Sequence, residues 1–395
     1  MKLSQLIKSV RKDLNTTSAA QTDITKIKEW YDTGSYSLNR VISGDIYKGV
    51  PSGRIFQICG DSQSGKSLIA CQTAALALKN GQIDTIFFVD SEGGGTQILE
   101  GLSVDMEKVE YIPVSSIEEC SVQMLKLYDT FMKARQEYVE NPDSNDDIRA
   151  IVILDSWGGL SADKLVEDAV KKDKQVQDMG LGAKLKNNLI SGLMMRVVRS
   201  GVSLFILNHT YENPGAVFVS KIKPIPGGKK IEFASHIILQ STKLLIKADN
   251  KEFLTGTEDE GSEAGFYKGN RLNFFCVKNR VAKPCFSADV YVDFDAGISV
   301  YDGLIDDAIK MGFIKKVHGG YSVKSYKDGV KVTYKKLISS PEIWDTFIDE
   351  FNKQSIESMK FSKTIVEMIT EEEEKLGLKN GGQDKMADIE EVEVE

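Results

Sequence analysis

One eight-residue segment constrains the fold of this chain more than any other. Residues 60–67 read G-x-x-x-x-G-K-S, the pattern of a phosphate-binding loop. An apolar run at 54–59 precedes this segment, and a helical pattern at 66–79 follows it. In such a loop the glycines let backbone N–H groups turn toward a phosphate at the start of the helix. The segment therefore predicts a strand–loop–helix unit that binds a nucleoside triphosphate.

The predicted nucleotide contacts are the loop residues and the residue after them: Gly60, Asp61, Ser62, Gln63, Ser64, Gly65, Lys66, Ser67 and Leu68. The Lys66 ammonium would reach the β- and γ-phosphates, in catalysis as well as binding, and the Ser67 hydroxyl would ligate Mg²⁺. Asp155 ends another apolar run, 150–155, and would hold the same ion through water. ATP and Mg²⁺ are the predicted cofactors.

Hydrolysis also needs a group that activates or orients water beyond the γ-phosphate. Glu92 follows the apolar run 85–90 and precedes three consecutive glycines. A carboxylate at the carboxyl end of a strand faces the same crevice as a phosphate loop at that edge. Glu92 is therefore the predicted base, and Asp90 is assigned a structural role at the strand end.

Strand-like and helix-like segments alternate from about residue 50. Apolar runs predict strands at 54–59, 85–90, 109–114, 150–155 and 202–208, with helices at 66–79, 117–138 and 184–199 between them. Strands that are apolar throughout favour a mainly parallel sheet covered on both faces, an α/β fold. Three later strand-like segments follow one another without helices and predict an antiparallel extension: 237–246, 272–278 and 288–294.

Composition excludes several classes of protein. No apolar run approaches the about 18 residues that span a bilayer, and the first residues lack the features of a signal peptide. Five dispersed cysteines and three histidines, without C-x-x-C, argue against a disulfide framework or a zinc site. We expect a soluble, cytoplasmic protein without membrane partners, in the host cytoplasm if the chain comes from a phage.

The charge is concentrated at one end of the chain. Residues 371–395 carry ten acidic residues and three lysines, so this tail holds −7 of the net charge of −8. Detached acidic tails occur in proteins whose body binds polyanions, but a tail that only increases solubility is an equal alternative.

Four segments make up the predicted domain organisation. The first residues predict an amphipathic helix, which packs on its own domain or on a neighbouring subunit. Near the other end, Trp344, Phe347 and Phe351 have helical spacing and are predicted core residues. The segments are an oligomerisation helix with its linker at 1–32, an ATPase and DNA-binding core at 33–300, a small α/β domain at 301–370 and an acidic disordered tail at 371–395.

Several short strings occur in a fixed order along the chain: T-G-S-Y-S-L-N at 33–39, G-R-I at 53–55, D-S-E at 90–92, L-D-S at 154–156 and N-H-T at 208–210. Together with the phosphate loop, they resemble the RecA recombinase family, and in particular its phage, UvsX-like branch. The resemblance extends over roughly residues 33–303. Ordered motifs at such spacing are more specific than any one of them.

The resemblance implies roles for individual residues of the ATP site. Glu92 falls at the family's catalytic glutamate, and His209 falls where the family has a polar residue that senses the γ-phosphate. Lys278 and Arg280 match a basic pair that the family inserts into the ATP site of the neighbouring subunit. At Leu99 the sequence departs from its relatives, which usually have a tyrosine that stacks on adenine; an apolar contact could hold the base instead.

The resemblance also implies two DNA-binding loops, at about 157–177 and 211–232. Long loops inside a compact domain often carry function, and lysines with few acids nearby suit phosphate contacts. The predicted DNA contacts lie in these two loops: Trp157, Gly158, Lys164, Lys221, Lys223, Gly227, Gly228, Lys229 and Lys230.

The function implied is ATP-dependent homologous recombination. Such a protein coats single-stranded DNA as a helical filament and pairs it with duplex, in recombination, repair and recombination-dependent replication. The expected partners are DNA, further copies of the chain, a mediator and a single-strand-binding protein. The first alternative is a hexameric replicative helicase with a RecA-like core, although such helicases usually carry a larger N-terminal helical domain. The second is a nucleotide-gated DNA-binding regulator with weak ATPase activity.

Overall fold

The computed structural model describes residues 3–14, 26–143, 146–163, 179–211, 222–247, 253–254, 267–327 and 330–361. In these residues, β1 (Trp30–Tyr31) and β2 (Val50–Pro51) pair as a small antiparallel sheet. The central sheet has ten strands: β3 (Ile55–Gly60), β4 (Thr85–Asp90), β5 (Val109–Pro113), β6 (Ala150–Asp155), β7 (Ser203–Asn208), β8 (Ile237–Lys247), β9 (Phe253–Leu254), β10 (Tyr267–Asn279), β11 (Ser287–Asp293) and β12 (Gly297–Ile298). A hairpin of β13 (Ile314–Val317) and β14 (Gly320–Val323) stands apart from it.

The strand order across the central sheet is β5-β4-β6-β7-β3-β8-β10-β11-β12, with β9 paired to β8. The first six strands in this order are mutually parallel. From β8 onward the pairings are antiparallel. The predicted α/β fold with a mainly parallel sheet and an antiparallel extension is therefore confirmed.

Eleven α-helices lie in the described residues: α1 (Leu3–Leu14), α2 (Tyr36–Ser43), α3 (Lys66–Lys79), α4 (Thr96–Gly101), α5 (Ile117–Glu140), α6 (Met179–Ser200), α7 (Lys229–Ala234), α8 (Ile305–Lys310), α9 (Tyr334–Ser339), α10 (Pro341–Trp344) and α11 (Ile348–Met359). Side-chain caps start several of them. Ser35 Oγ accepts a hydrogen bond from the N–H of Leu38 in α2, and Ser116 Oγ accepts one from the N–H of Glu119 in α5. These caps satisfy backbone donors that the first helical turn leaves without partners.

Both faces of the parallel sheet are buried at its centre, whereas the edge strand β5 is largely exposed. Alternate residues of β7 belong to opposite layers: Phe205 and Leu207 pack in the cluster that includes residues of α3, whereas Leu204 and Ile206 pack in the cluster that includes residues of α5 and α6. All four side chains are fully buried. Two apolar layers explain why the central strands are apolar at most positions rather than at alternate ones.

A third buried cluster lies in the C-terminal part of the described residues. It contains the predicted core residues Trp344, Phe347 and Phe351, packed with residues of α8 and the β13–β14 hairpin. Trp344 Nε1 donates a hydrogen bond to the carbonyl of Leu337 at 2.8 Å, which satisfies the one polar atom of this buried indole.

The predicted domain boundaries stay predictions. In α1, the side chains of Leu6, Ile7 and Val10 are 40–48% exposed, and packing of this face on a neighbouring subunit stays a prediction. The acidic segment 371–395 lies outside the described residues. Among the described helices, none is both long and apolar enough to cross a membrane.

His236, just before β8, is a half-buried acceptor of a backbone hydrogen bond. Its Nδ1 accepts from the N–H of Ile55 at 3.2 Å. Burial, and then the charges of Arg54, Arg280 and Lys278, lower the pKa of His236 from 6.5 to about 4. The folded protein therefore holds this imidazole in its neutral form at neutral pH.

We expect His236 to make the folded protein sensitive to acid. The unfolded chain takes up this proton near pH 6.5 and the folded chain only near pH 4, so stability falls as the pH drops through that interval. The loss amounts to about 3 kcal/mol at most. In His236→Asn, which keeps an acceptor but cannot titrate, the free energy of unfolding in denaturant should fall less between pH 7 and pH 5. Equal losses in both proteins would contradict this role.

Candidate functional site

Polar residues from four neighbouring strands meet at one edge of the central sheet. The phosphate loop follows β3, Glu92 follows β4, Asp155 ends β6 and His209 follows β7. These four strands are parallel and adjacent in the order β3-β7-β6-β4, so their carboxyl ends lie side by side. Ligands of open α/β sheets bind at this edge.

Two glycines of the loop could not be replaced without displacing neighbours. A Cβ on Gly60 would lie 2.3 Å from Ser241 Oγ, and a Cβ on Gly65 would lie 2.3 Å from Leu272 Cδ1. Gly65 also has a φ of 83°, which favours glycine, and α3 begins directly after it without a side-chain cap. The first backbone N–H groups of α3 thus face an end with no competing side-chain acceptor, which fits a bound phosphate.

Lys66 lies at the centre of this loop with only 7% of its surface exposed. Its Nζ donates hydrogen bonds to the carbonyls of Gly60, at 3.1 Å, and Asp61, at 2.7 Å. Burial lowers the pKa of Lys66, while the charges of Asp155 and Glu92 act in the opposite direction. A phosphate oxygen is a stronger acceptor for this ammonium than a carbonyl.

Ser67 and Asp155 form the predicted metal pair. Ser67 Oγ donates a hydrogen bond to Asp155 Oδ2 at 2.7 Å, and Asp155 is 6% exposed. Burial raises the pKa of Asp155, and the negative charges of Glu92 and Asp90 raise it further. A divalent cation would favour the ionised form. Mg²⁺ commonly keeps several waters and binds through one or two carboxylates together with phosphate oxygens, which suits a site with Ser67 and Asp155 as its protein ligands.

Glu92 is fixed by two side chains from neighbouring strands. Its Oε1 accepts a hydrogen bond from Ser156 Oγ at 2.5 Å and lies 3.0 Å from His209 Nε2. Burial opposes ionisation of Glu92, but the hydrogen bonds from Ser156 and His209 outweigh it and lower the pKa of this carboxyl. Glu92 thus has the ionised form that a base requires. Sequence reasoning missed Ser156, although the L-D-S string at 154–156 contains it.

Asp90 organises the turn that carries Glu92. Its Oδ1 accepts hydrogen bonds from the N–H groups of Glu92 and Gly93, each at 2.8 Å. These contacts are those of a structural residue at a strand end, as expected from the sequence, and they leave Glu92 rather than Asp90 facing His209.

The residues predicted to contact DNA fall into unlike environments. Lys229 and Lys230 are exposed at the start of α7, directly after Gly228 with its φ of 85°. Trp157 is fully buried, and a Cβ on Gly227 would lie 2.3 Å from its Nε1. A contact between the Trp157 side chain and DNA would require the indole to leave this core.

Of the remaining residues predicted to contact DNA, Gly158 and Lys223 lie near the ATP-site edge of the sheet, and the other two lie outside the described residues. A Cβ on Gly158 would lie 3.1 Å from the His209 ring, so this glycine packs against the end of β7. Lys223 Nζ lies 2.9 Å from Asp61 Oδ2 in the phosphate loop, a contact that the sequence did not predict. Lys164 and Lys221 lie outside the described residues.

Lys278 and Arg280 are far from their own phosphate loop. Lys278 Nζ donates to the carbonyls of Glu232 and Phe233, and Arg280 Nη2 donates to the carbonyl of Phe233. Lys278 pairs with Ile238 at the start of β8, whereas Gly60 pairs with Ser241, farther along that strand. The basic pair therefore lies toward the amino end of the parallel strands, away from the carboxyl edge that carries the ATP-site residues.

Leu99 does not offer a surface to a base. The side chain is fully buried in the cluster that contains Phe88 and Ile86. An apolar contact between Leu99 and the base, which the sequence left open, does not fit this conformation, because helix α4 directs the side chain into the core.

Comparison with known proteins agrees with the site. The model of the RecA N-terminal domain matches residues 2–299. A "Recombination and repair protein" of Enterobacteria phage T4 is 26% identical over 292 residues, which are 74% of this chain and 66% of the phage protein, just under two thirds. "Protein RecA" of Chloroherpeton thalassium is 27% identical over 312 residues, or 78% of this chain and 76% of that protein. "Protein RecA" of Aquifex aeolicus is 27% identical over 350 residues, which are 88% of this chain and 89% of that protein.

The family match covers most of the chain and includes every residue of the carboxyl-edge site. The resemblance to RecA recombinases, including a phage relative, is thereby confirmed. The chain belongs to the RecA N-terminal domain family.

Proposed function

We propose that this protein is an ATP-dependent DNA recombinase that forms a helical filament on single-stranded DNA and pairs it with homologous duplex. The observation that carries the proposal is the contact of Glu92 with both Ser156 and His209, at the same sheet edge as Lys66 and the Ser67–Asp155 pair. This arrangement suits hydrolysis of the β–γ phosphoanhydride bond of ATP. The relatives named recombination and repair protein and RecA support recombination as the process that this hydrolysis serves.

Each of the residues at the proposed ATP site would have a separate role in binding or hydrolysis. Lys66 would bind the β- and γ-phosphates, and Ser67 with Asp155 would hold Mg²⁺. The ion would neutralise charge on the phosphates when bound. Glu92 would orient or deprotonate the attacking water. Glu92 contacts both Ser156 and His209, so a change at the γ-phosphate would be transmitted through Glu92 to His209, the first residue after β7.

The exposed lysines at the start of α7 would bind the DNA backbone. Lys229→Ala with Lys230→Ala should weaken binding to single-stranded DNA and flatten its salt dependence by about 1.4 in log–log slope, since each lost contact on single strands accounts for about 0.7. Fluorescence anisotropy of a labelled oligonucleotide at several salt concentrations measures this slope.

A control double variant, Lys126→Ala with Lys133→Ala, removes the same charge from exposed positions on α5. It should leave the slope almost unchanged. A slope that changes equally in both double variants would show that Lys229 and Lys230 act only through net charge.

The experiment that tests the proposal has two arms. ATPase activity should rise when single-stranded DNA is added, and electron microscopy with DNA and a slowly hydrolysed ATP analogue should show helical filaments. Closed rings would favour the helicase alternative. Nucleotide-dependent DNA binding with neither filaments nor stimulated hydrolysis would favour the regulator.

A further inference from the structure

A carboxylate of the phosphate loop holds a residue of the second predicted DNA loop and the residue just before that loop. Asp61 Oδ1 accepts a hydrogen bond from Thr210 Oγ1 at 3.0 Å, and Asp61 Oδ2 lies 2.9 Å from Lys223 Nζ. Thr210 and Lys223 stand on either side of residues 212–221. One side chain thus fastens the chain before and after that segment to the loop that would bind ATP.

The backbone on either side of the segment is also fixed. Gln240, which is 6% exposed on β8, accepts a hydrogen bond from the N–H of Lys223 at 2.9 Å and donates one to its carbonyl at 2.7 Å. The N–H of Tyr211 donates to the carbonyl of Pro224 at 3.3 Å. Because the backbone of Lys223 is held in place, its side chain could exchange the Asp61 carboxylate for another acceptor without a shift of the backbone.

The same residue also contacts the lysine that would bind phosphate. Lys66 Nζ donates to the backbone carbonyl of Asp61 at 2.7 Å. A nucleotide phosphate that accepts from Lys66 competes with this carbonyl, because a charged acceptor forms the stronger hydrogen bond. Nucleotide binding therefore acts on the backbone of the residue that holds Lys223.

We propose that Asp61 is a positioning residue whose carboxylate competes with a nucleic-acid phosphate for the Lys223 ammonium, and that nucleotide binding at Lys66 weakens this hold. The inference rests on the proposed function, since it assigns Lys223 to DNA. The Lys223 side chain is 25% exposed and that of Asp61 55%, so a polyanion can approach the pair. Asp61 limits DNA binding until nucleotide is bound.

The test compares DNA affinity with and without nucleotide. Asp61→Asn keeps an acceptor for Thr210 but loses the charge. Without nucleotide it should bind single-stranded oligothymidylate about two- to fivefold more tightly than wild type at low salt, the range expected for release of an exposed ion pair. Its salt slope should steepen by about 0.7, one phosphate contact. With a slowly hydrolysed ATP analogue the two proteins should converge.

Lys223→Gln supplies a second variant with a different signature. It should weaken binding when the analogue is present and change it little without nucleotide. In the Lys223→Gln background, Asp61→Asn should have no further effect. Asp84→Asn is the matched control, because Asp84 is also an exposed carboxylate, 56% exposed, in an ion pair with Arg149 at the opposite edge of the sheet.

Two results would overturn the inference. One is an Asp61→Asn gain no larger than that of Asp84→Asn, and the other is the same gain with and without Lys223. Failure of the proposed function would give a different result, because the wild type would then bind oligothymidylate without forming filaments. In that case the binding affinities of Asp61→Asn and Lys223→Gln would still test the competition for Lys223. Filaments in the wild type together with an unchanged Asp61→Asn would contradict the inference alone.

Discussion

Replacing Glu92 by Gln is expected to lower ATP turnover by about a hundredfold or more while ATP and single-stranded DNA still bind. The amide keeps the size of the side chain and can still accept from Ser156 Oγ or His209 Nε2. It cannot take a proton from water. Because Lys66 and the Ser67–Asp155 pair remain intact, the defect should fall on turnover rather than on nucleotide affinity.

Steady-state hydrolysis and nucleotide binding, measured on the same preparations with single-stranded DNA, separate the two quantities. Glu100→Gln is the matched control, since Glu100 is an exposed residue of α4, the helix that follows the glycine turn. It should keep turnover near that of the wild type. Near-normal turnover in Glu92→Gln would contradict the assignment of Glu92 as the base.

The bounds of the central parallel strands could be predicted closely, because a strand that is buried on both faces appears in the sequence as a continuous apolar run. The runs at 85–90 and 150–155 coincide with β4 and β6. Buried residues of both strands divide between the apolar cluster that includes α3 and the cluster that includes α5 and α6. The meeting of Lys66, Glu92 and Asp155 followed from the same rule, since carboxyl ends of neighbouring parallel strands share an edge. Helix ends were less predictable: α6 begins at Met179, before the predicted 184.

Contacts between residues distant in the chain could not be predicted. Trp157 follows β6 directly, and whether an indole there faces solvent or core depends on Gly227, seventy residues later. The pairing of Lys223 with Asp61 likewise depends on how β8 lies beside β3. Leu99 shows the same limit, because position within a motif does not say which side of α4 the core will occupy.

The basic pair Lys278 and Arg280 is expected to complete the ATP site of a neighbouring subunit. Both side chains are bound to carbonyl oxygens at the last residues of α7, toward the amino end of the sheet. Burial and the nearby charge of Arg280 lower the pKa of Lys278 to about 8. A phosphate of the neighbour would be a stronger acceptor than these carbonyls and would favour the charged lysine. ATP would then also stabilise the assembly.

Mixing two inactive proteins tests this arrangement. Lys66→Ala should lose ATP binding and turnover, and Lys278→Ala with Arg280→Ala should lose turnover alone. In an equimolar mixture with single-stranded DNA, about one quarter of randomly formed head-to-tail interfaces join an intact phosphate loop to an intact basic pair. The mixture should therefore recover up to about one quarter of the wild-type ATPase activity, in proportion to the fraction of complete interfaces.

The control mixture combines Lys66→Ala with Glu92→Gln. Both changes lie in the same site of one subunit, so no interface contains an intact Lys66 beside an intact Glu92, and no activity should return. Recovery in the first mixture but not in the second is the pattern that only a site shared between subunits produces. If the first pair of proteins folds, binds DNA and coassembles without recovering activity, Lys278 and Arg280 do not act on the neighbouring ATP site.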